Sequence, residues 1–317
     1  MASECTPYEC KLDQETQKKA QDELFEDPQN RQGAIDAFRT WIKQQKHINC
    51  PTDDVFLLGF LRAKHFSQLE AREGLERFMA IRDKLSGWMK NLDPASDEMT
   101  RIIDIGILLM MPDREDHNVK LYIYRPALLD GSKKELITSC LRLFVTMCYL
   151  TFFCDEMSQI HGVSYTYDSF GYTMTKYLKI PLEIRQNLGS MVSKAFPARV
   201  KAIHMCNTEG LLEMLLSVFK KIVTEKINKR IKVHSHGLES WYKDIPMRVL
   251  PTEYLPDDYQ GPNAGNVDTI KASMKKTFQE PEIRERIKYL SSDEFYINMK
   301  DKDFDIPTAS FRQLNVD

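Results

Sequence analysis

The sequence predicts an α/β fold, in which an N-terminal helical bundle is followed by a mixed, mainly parallel sheet flanked by helices. Apolar residues recur at helical spacing through the first part of the chain. Beyond Pro94, short runs rich in β-forming residues alternate with helical segments, as in sheets built from strand–helix–strand units. We therefore expect a helical domain at residues 1–92, a sheet domain at 93–290 and a C-terminal tail at 291–317.

Four helices are predicted in the N-terminal domain. Pro51 and Asp53 supply a stop signal and a new N-cap, and Ser67 with Glu70 has the spacing of a capping box. The expected helices are Asp13–Glu26, Ala34–Lys46, Asp53–Phe66 and a longer helix from Ser67 through Leu85.

The sheet domain is predicted from alternating runs. The expected strands are Ile107–Met111, Val119–Arg125, Val163–Tyr167, Arg199–Met205 and Ile231–Val233. The expected helices are Lys133–Met157, Pro181–Lys194, Leu211–Val223, Val267–Phe278 and Pro281–Leu290. Leu136–Phe153 approaches the length of a membrane span, but Arg142 lies inside it and would cost about 2.5–3.5 kcal/mol in a bilayer. We therefore expect a buried helix packed on the sheet.

Composition excludes some functions. A net charge of −2 argues against a dedicated nucleic-acid-binding protein, so any basic site must be local. The seven cysteines show no metal-ligand spacing and suit free thiols in a reducing compartment. The first residues lack a secretion signal, so we expect a cytoplasmic protein, and we expect a monomer.

Enzyme signatures are absent from the sequence, so no catalytic residue is predicted. Asp168-Ser-Phe-Gly171 superficially resembles a kinase metal-binding triplet, but the other kinase motifs are missing, and it is interpreted as a turn at a strand end. His234 and His236 could offer two metal ligands from one strand face. With no third ligand nearby in the sequence, ordinary histidines are the favoured interpretation, and no metal or cofactor is expected.

The stretch Phe196–His236 combines an apolar helix with local positive charge. Between Lys194 and Lys232 it holds nine Lys or Arg against three Glu. Such a segment suits a lid that meets an anionic membrane, although a buried core helix with a solvated basic end fits the pattern equally well. Arg199 and Lys201 share one side of a strand, as Lys226, Lys229 and Arg230 share a helix face, so both sets suit a phosphate headgroup. A generic solvated charge run is the alternative.

The same stretch, FPARVKAIHMCN followed by TEKINKRIKVH, resembles the signature of the CRAL-TRIO lipid-transfer family. LLGFLRAKHF at 57–66, VKLYIYR at 119–125 and LPDDYQG at 255–261 resemble three further motifs of that family, in the same order. The chain is most similar to the branch that contains the α-tocopherol transfer protein, cellular retinaldehyde-binding protein and the clavesins.

The resemblance implies an apolar cavity on the sheet, closed by a helical lid near residues 207–223. The cavity and lid residues that it implies are Phe144, Cys148, Val163, Met191, Val192, Phe196, Ile203, Leu211, Leu212, Leu215 and Phe219. A phosphoinositide-binding cluster of the tocopherol branch maps onto Lys64, Arg199, Lys201, Lys226 and Arg230. Two departures, Phe170 in place of an acidic residue and Phe144 with Cys148 in place of small serines, imply a drier or differently shaped cavity.

These observations predict a lipid-binding and transfer protein that is not an enzyme. Its expected ligand is one small hydrophobic molecule, such as a retinoid, tocopherol or other isoprenoid-like lipid, and its expected partner is a phosphoinositide-containing membrane surface that it visits transiently as a peripheral protein. The alternative is a scaffold or regulatory module that uses the same fold to bind a protein partner.

Overall fold

The computed structural model describes residues 7–208, 216–217, 225–234 and 237–299, and it contains the predicted helical and sheet regions. The helices before the sheet are α1 (Gln14–Leu24), α2 (Arg31–Gln44), α3 (Asp54–Ala63), α4 (Gln68–Lys84), α5 (Ser86–Met89) and α6 (Asp97–Ile105). The caps follow the sequence signals: the Asp53 side chain accepts a hydrogen bond from the Phe56 amide, and the Ser67 hydroxyl accepts one from the Glu70 amide.

A five-stranded mixed sheet follows. Its strands are β2 (Leu108–Arg114), β3 (Lys120–Tyr124), β4 (Val163–Asp168), β5 (Val200–Cys206) and β6 (Ile231–His234), in the spatial order β2-β3-β4-β5-β6. The β2–β3 pair is antiparallel and the other three pairs are parallel. The predicted α/β class with a mixed, mainly parallel sheet is therefore confirmed.

Helices cover the sheet and continue after it. They are α7 (Lys134–Phe153), α8 (Glu156–His161), α9 (Met174–Lys179), α10 (Leu182–Lys194), α11 (Glu225–Asn228), α12 (Val267–Gln279) and α13 (Pro281–Leu290). Within the described residues, α7 is the one helix long and apolar enough to cross a membrane, and it is mostly buried. Its Arg142 bonds Glu98 and three backbone carbonyls of the α5–α6 region, which confirms the predicted buried helix.

The structure departs from the expected elements in several places. The predicted helix Lys133–Met157 is two helices, because Asp155 adopts an extended conformation and its side chain caps α8 by accepting from the Ser158 amide. The short helices α5, α6 and α9 were not predicted. Most of the predicted lid helix Leu211–Val223 lies outside the described residues.

The first residues of the predicted C-terminal tail are packed against the N-terminal domain. Ser291, Phe295 and Ile297 are buried, and β7 (Tyr296–Ile297) pairs antiparallel with β1 (Ile48–Asn49). Arg82 of α4 donates hydrogen bonds to the carbonyl oxygens of Phe295 and Ser292. The described part of this segment therefore closes the helical domain rather than hanging free from the sheet domain.

Candidate functional site: a basic cleft beside a tyrosine-bearing sheet face

A cleft of about 660 Å³ lies where the α3–α4 turn meets the segment that enters β5. Four of the five predicted headgroup residues line it, although they come from three distant parts of the chain: Lys64, Arg199, Lys201 and Arg230. The fifth, Lys226, belongs to α11, but its side chain lies outside the described part of the structure. The fold therefore brings together the predicted basic residues whose side chains it describes.

Local backbone structure directs these side chains into the cleft. Lys64 is the C-cap of α3, and the next two residues have positive φ angles of 50° and 58°, which turns the chain sharply into α4. Arg199 and Lys201 flank Val200, the buried first residue of β5, so both point away from the core. Arg230 is held against the same strand, since its guanidinium donates to the Val200 carbonyl and its own carbonyl accepts from the Ile203 amide.

The charge of the cleft is strongly positive. Its lining residues include seven Lys or Arg and, among the described residues, a single carboxylate, Glu23 of α1. One of the seven, Arg62, is paired with buried Glu26 and half-buried Glu156. Arg77 of α4 and Lys194 of α10 also line the cleft. Neither was predicted as a site residue. Arg77 follows Gly74, another lining residue, by one helical turn. This spacing does not by itself indicate a site, because the sequence does not show that α4 lies beside β5.

Glu23 contacts two of the predicted basic residues. Its Oε2 lies 2.9 Å from Nη2 of Arg199 and 3.5 Å from Nζ of Lys201. Burial acts to raise the pKa of Glu23, but the neighbouring Lys201, Lys19 and Arg199 outweigh burial and hold that pKa below its ordinary value. Burial also lowers the pKa of Lys201 and Arg199, and contact with Glu23 opposes that shift. An anion is thus already present where the sequence predicted a headgroup phosphate.

The predicted cavity residues meet on one side of the sheet. Val163 and Ile203 belong to adjacent strands and share the face that carries Tyr165. Phe144 and Cys148 share an α7 face with Thr151, whose hydroxyl bonds the hydroxyl of Tyr122 on that same side.

The remaining predicted cavity residues fall in different surroundings. Met191 is fully buried on α10, whereas Val192 beside it is 39% exposed. Phe196 packs among Phe78, Tyr149, Phe152 and Phe153, and it also lines the basic cleft. The predicted lid residues Leu211, Leu212, Leu215 and Phe219 lie outside the described residues.

Tyrosines dominate this sheet face and were missed as site residues. Tyr122 stacks on Tyr165 with ring centroids 5.6 Å apart, and Tyr124 meets Tyr167 edge to face at 5.3 Å. Burial raises the pKa of Tyr124, Tyr165 and Tyr167 well above the ordinary value, yet each ring keeps part of its surface accessible. This combination is typical of side chains that line an internal space. The alternating tyrosines of KLYIY and VSYTY are the sequence signal that could have found them.

The tyrosine-bearing sheet face is therefore more polar than Phe144 and Cys148 alone imply. The hydroxyls of Tyr124 and Tyr165 have no hydrogen-bond partner among the described residues, and Tyr167 bonds Tyr172. Phenolic hydroxyls can donate to or accept from a polar oxygen of a bound lipid.

An exposed apolar surface lies on the segment between β4 and α10. Met174 and Leu178 are one turn apart on α9 and share its outer face. The exposed large apolar side chains from this segment to the first residue of α10 are Phe170 at 77%, Met174 at 42%, Leu178 at 59% and Leu182 at 60%. Contiguous exposed apolar patches often mark sites that bind a protein, a ligand or a membrane.

The turn that follows β4 has the predicted form. Asp168 ends the strand, Gly171 has a φ of 68°, and the Asp168 carboxylate accepts from Tyr254 at 2.6 Å and Asn207 at 2.8 Å. The carboxylate also accepts from the Phe170 amide at 3.0 Å, which confirms the interpretation of Asp168–Gly171 as a strand-end turn.

His234 has neighbours that the sequence did not show. On the sheet face opposite the tyrosines, its Nε2 lies 2.9 Å from Nδ1 of buried His204 and 3.9 Å from Asp244. Burial and His234 lower the pKa of His204 to about 4, so both rings share a hydrogen bond in a neutral state. The Lys232 ammonium already pairs with Asp244. The cluster is thus internally satisfied as a hydrogen-bonded and ion-paired network.

Comparison with known proteins shows which families the chain resembles. Residues 106–254 match the family model described as the CRAL/TRIO domain, and residues 27–99 match the Pinta-like UBA domain. The alpha-tocopherol transfer protein-like proteins of Homo sapiens and Mus musculus are each 26% identical over 263 residues, covering 83% of this chain and 74% of those proteins. Clavesin-2 of Homo sapiens is 23% identical over 292 residues, covering 87% of this chain and 89% of that protein.

A solved structure shows the same fold. The crystal structure of Sfh5 matches with a TM-score of 0.51 and 16% sequence identity, over 82% of this chain and 92% of that chain. The predicted resemblance to the CRAL-TRIO family, and to the branch that contains the clavesins, is confirmed.

Proposed function

Because this chain carries a CRAL-TRIO domain, we propose that it is a lipid-binding and transfer protein that encloses one small hydrophobic molecule and exchanges it at phosphoinositide-containing membranes. The relatives named for tocopherol transfer support a lipid-transfer role at the level of the family. The observation that carries the membrane part of the proposal is the basic cleft, in which distant Lys64, Arg199, Lys201 and Arg230 converge. That the chain is not an enzyme stays a prediction.

The bound molecule would lie against the tyrosine-bearing sheet face. Val163, Ile203, Phe144 and Cys148 supply apolar surface there, and burial of apolar area stabilises a ligand by roughly 25 cal/mol per Å². The hydroxyls of Tyr124 and Tyr165, which have no hydrogen-bond partner in the described part of the chain, favour a lipid with at least one polar oxygen. An isoprenoid-like alcohol, aldehyde or phenol meets both requirements.

Contact with a bilayer would use two kinds of surface. The cleft attracts anionic headgroups, each nearby basic residue adding on the order of 1 kcal/mol at a membrane surface. The exposed side chains of Phe170, Met174 and Leu178 would enter the apolar part of the interface. Opening at the membrane would then expose the sheet face to lipid.

Lipid extraction tests the ligand. The purified protein is extracted with organic solvent, and the extract is analysed by mass spectrometry. A stoichiometric hydrophobic molecule is the expected result. An empty protein that co-purifies with a stoichiometric protein partner would instead favour the scaffold alternative.

Vesicle binding tests the cleft. A variant with Arg199→Ala, Lys201→Ala and Arg230→Ala should lose binding to phosphatidylcholine vesicles that contain a phosphorylated phosphatidylinositol. Because the variant also removes positive charge, its matched control replaces the exposed basic residues Lys43, Lys46 and Arg101, which lie outside the cleft, by alanine. Binding that falls equally in both variants, with melting temperatures unchanged, would contradict the headgroup role of the cleft.

A further inference from the structure

The carboxylate of Glu23 occupies the position in the cleft where an anionic ligand would find its best partners. It bridges Arg199 and Lys201, with its Oε2 2.9 Å from the guanidinium and 3.5 Å from the ammonium. Among the described residues that line the cleft, no other carboxylate is present. A phosphate oxygen that bound both cations would have to take this place.

The carboxylate can leave without unfolding the helix that carries it. Helix α1 is anchored by Ala20 and Leu24, which are fully buried against Ile160, and by the hydrogen bond between Thr16 and His161 at 3.0 Å. The Glu23 side chain is 43% exposed. The nearby bond from His65 reaches the backbone carbonyl of Glu23, not its carboxylate. Rotation of the Glu23 side chain toward water therefore breaks only its ion pairs with Arg199, Lys201 and Lys19.

A carboxylate leaves the cations incompletely satisfied. Nη1 of Arg199 is buried and has no hydrogen-bond partner among the described residues, although Nη2 of the same guanidinium is bonded to Glu23. An unpaired buried donor of this kind is costly. A phosphate monoester offers three terminal oxygens and a charge near −2, so it can satisfy both guanidinium nitrogens and the Lys201 ammonium at once.

We propose that Glu23 is a built-in competitor of the headgroup, which sets a charge threshold for occupation of the cleft. The proposal rests on the headgroup role given above to the same cleft. A headgroup with one negative charge exchanges one anion for another and gains little. A phosphomonoester brings more charge and more oxygens than the carboxylate it displaces, so phosphorylated phosphatidylinositols bind where phosphatidylserine or unphosphorylated phosphatidylinositol do not.

The test compares Glu23→Gln with Asp22→Asn in the full-length protein. Both variants remove one negative charge from the last two turns of α1, but Asp22 is exposed and lies outside the cleft. Binding is measured to phosphatidylcholine vesicles that contain phosphatidylserine, phosphatidylinositol or phosphatidylinositol 4-phosphate.

We expect E23Q to bind every anionic vesicle about two- to fivefold more tightly, the range that loss of the ion pairs of one partly exposed carboxylate allows. Vesicles with singly charged headgroups, which wild type leaves unbound, should then bind measurably. D22N should match wild type. A second variant, Glu23→Ala, repeats the measurement, and melting temperatures confirm that each variant is folded.

Soluble competitors distinguish a headgroup from free phosphate. Inositol 1,4-bisphosphate should displace both E23Q and wild type from the vesicles, whereas inorganic phosphate at the same concentration should not. Displacement by inorganic phosphate alone would identify the cleft as a general anion site and overturn the threshold.

The other outcomes separate the two claims. Equal gains in E23Q and D22N would overturn the role of Glu23, while leaving the cleft as a headgroup site if its alanine variant still fails to bind. If neither wild type nor E23Q bound any anionic vesicle, the headgroup role and the threshold would both be wrong.

Discussion

Replacement of Arg62 by methionine should destabilise the protein strongly, because Arg62 holds a buried charge network together. Its side chain is fully buried at the end of α3 and is bound to Glu26 through two hydrogen bonds, of 2.8 and 2.9 Å. It also donates to Glu156 and Gln159, each at 2.7 Å. Burial acts to lower the pKa of Arg62, but its carboxylate partners raise it overall, so the guanidinium stays charged.

The magnitude follows from what is left behind. Arg62→Met strands the carboxylate of Glu26, which has no exposed surface, and removal of one partner of a buried ion pair costs about 3–5 kcal/mol. Arg31 remains 2.6 Å from Glu26 and compensates in part. We therefore expect a loss near the lower limit, about 3 kcal/mol in the free energy of unfolding.

Urea denaturation of wild type, R62M and the double variant R62M/E26Q measures this loss. The double variant should recover at least about 1 kcal/mol, because an amide in place of the stranded carboxylate removes the buried charge. Arg248→Met is the matched control: Arg248 is exposed and bound to exposed Asp116, so its loss should cost less than about 1 kcal/mol. An R62M loss no larger than that of R248M would refute the reasoning.

Three further predictions concern the dependence of stability on pH and the close contact between Gly162 and the residue before β5. Burial raises the pKa of Glu115 to about 7, so wild type loses stability as pH rises from about 4.5 to 7. In urea titrations, the stability of Glu115→Gln relative to wild type should therefore be greater at about pH 8 than at about pH 5. Burial and His234 lower the pKa of His204 to about 4, so the stability of wild type falls as pH drops below about 6.5. His204→Asn should reduce this dependence of the unfolding free energy on pH, and an unchanged dependence would contradict the prediction. Gly162 has a φ of 86°, and an added Cβ would lie 2.4 Å from the Arg199 carbonyl oxygen. Gly162→Ala should therefore cost about 1–3 kcal/mol in the free energy of unfolding and weaken vesicle binding. Gly33→Ala is the control, because no atom lies within 4 Å of the Cβ added there.

The strands were predictable because they are short, buried and rich in β-forming residues. The expected strand Val163–Tyr167 differs from the observed strand by one residue at its end, and Arg199–Met205 differs by one residue at each end. The break between α7 and α8 was missed because the apolar pattern runs on through it, although Asp155 with Ser158 has N-cap spacing. The β1–β7 pair joins two-residue strands from opposite ends of the chain, and no local pattern carries such a pairing.

The candidate site was only partly predictable for a related reason. Spacing alone groups Arg199 with Lys201, which lie on one strand, and the family resemblance adds Lys64 and Arg230. It cannot add Glu23, since an acidic residue on a polar N-terminal helix looks like any solvated surface residue. The contact between α1 and β5 that gives Glu23 its importance joins residues 176 positions apart. The tyrosine wall was equally hidden, because alternation shows that tyrosines share a face but not which face is enclosed.

Phe196 lines the basic cleft and packs against α7, the helix whose Cys148 faces the tyrosines, so it would connect headgroup binding to the proposed ligand site. Phe196 lines the cleft three residues before Arg199, and its ring packs 5.9 Å from those of Tyr149 and Phe152 on α7. Helix α7 also carries Cys148 on the face turned to the tyrosines. A headgroup that separates Arg199 from Glu23 would therefore act on the backbone segment that also carries Phe196. The Phe196 ring packs against α7, the helix that lies over the proposed ligand. This packing is the contact through which occupation of the cleft would reach α7.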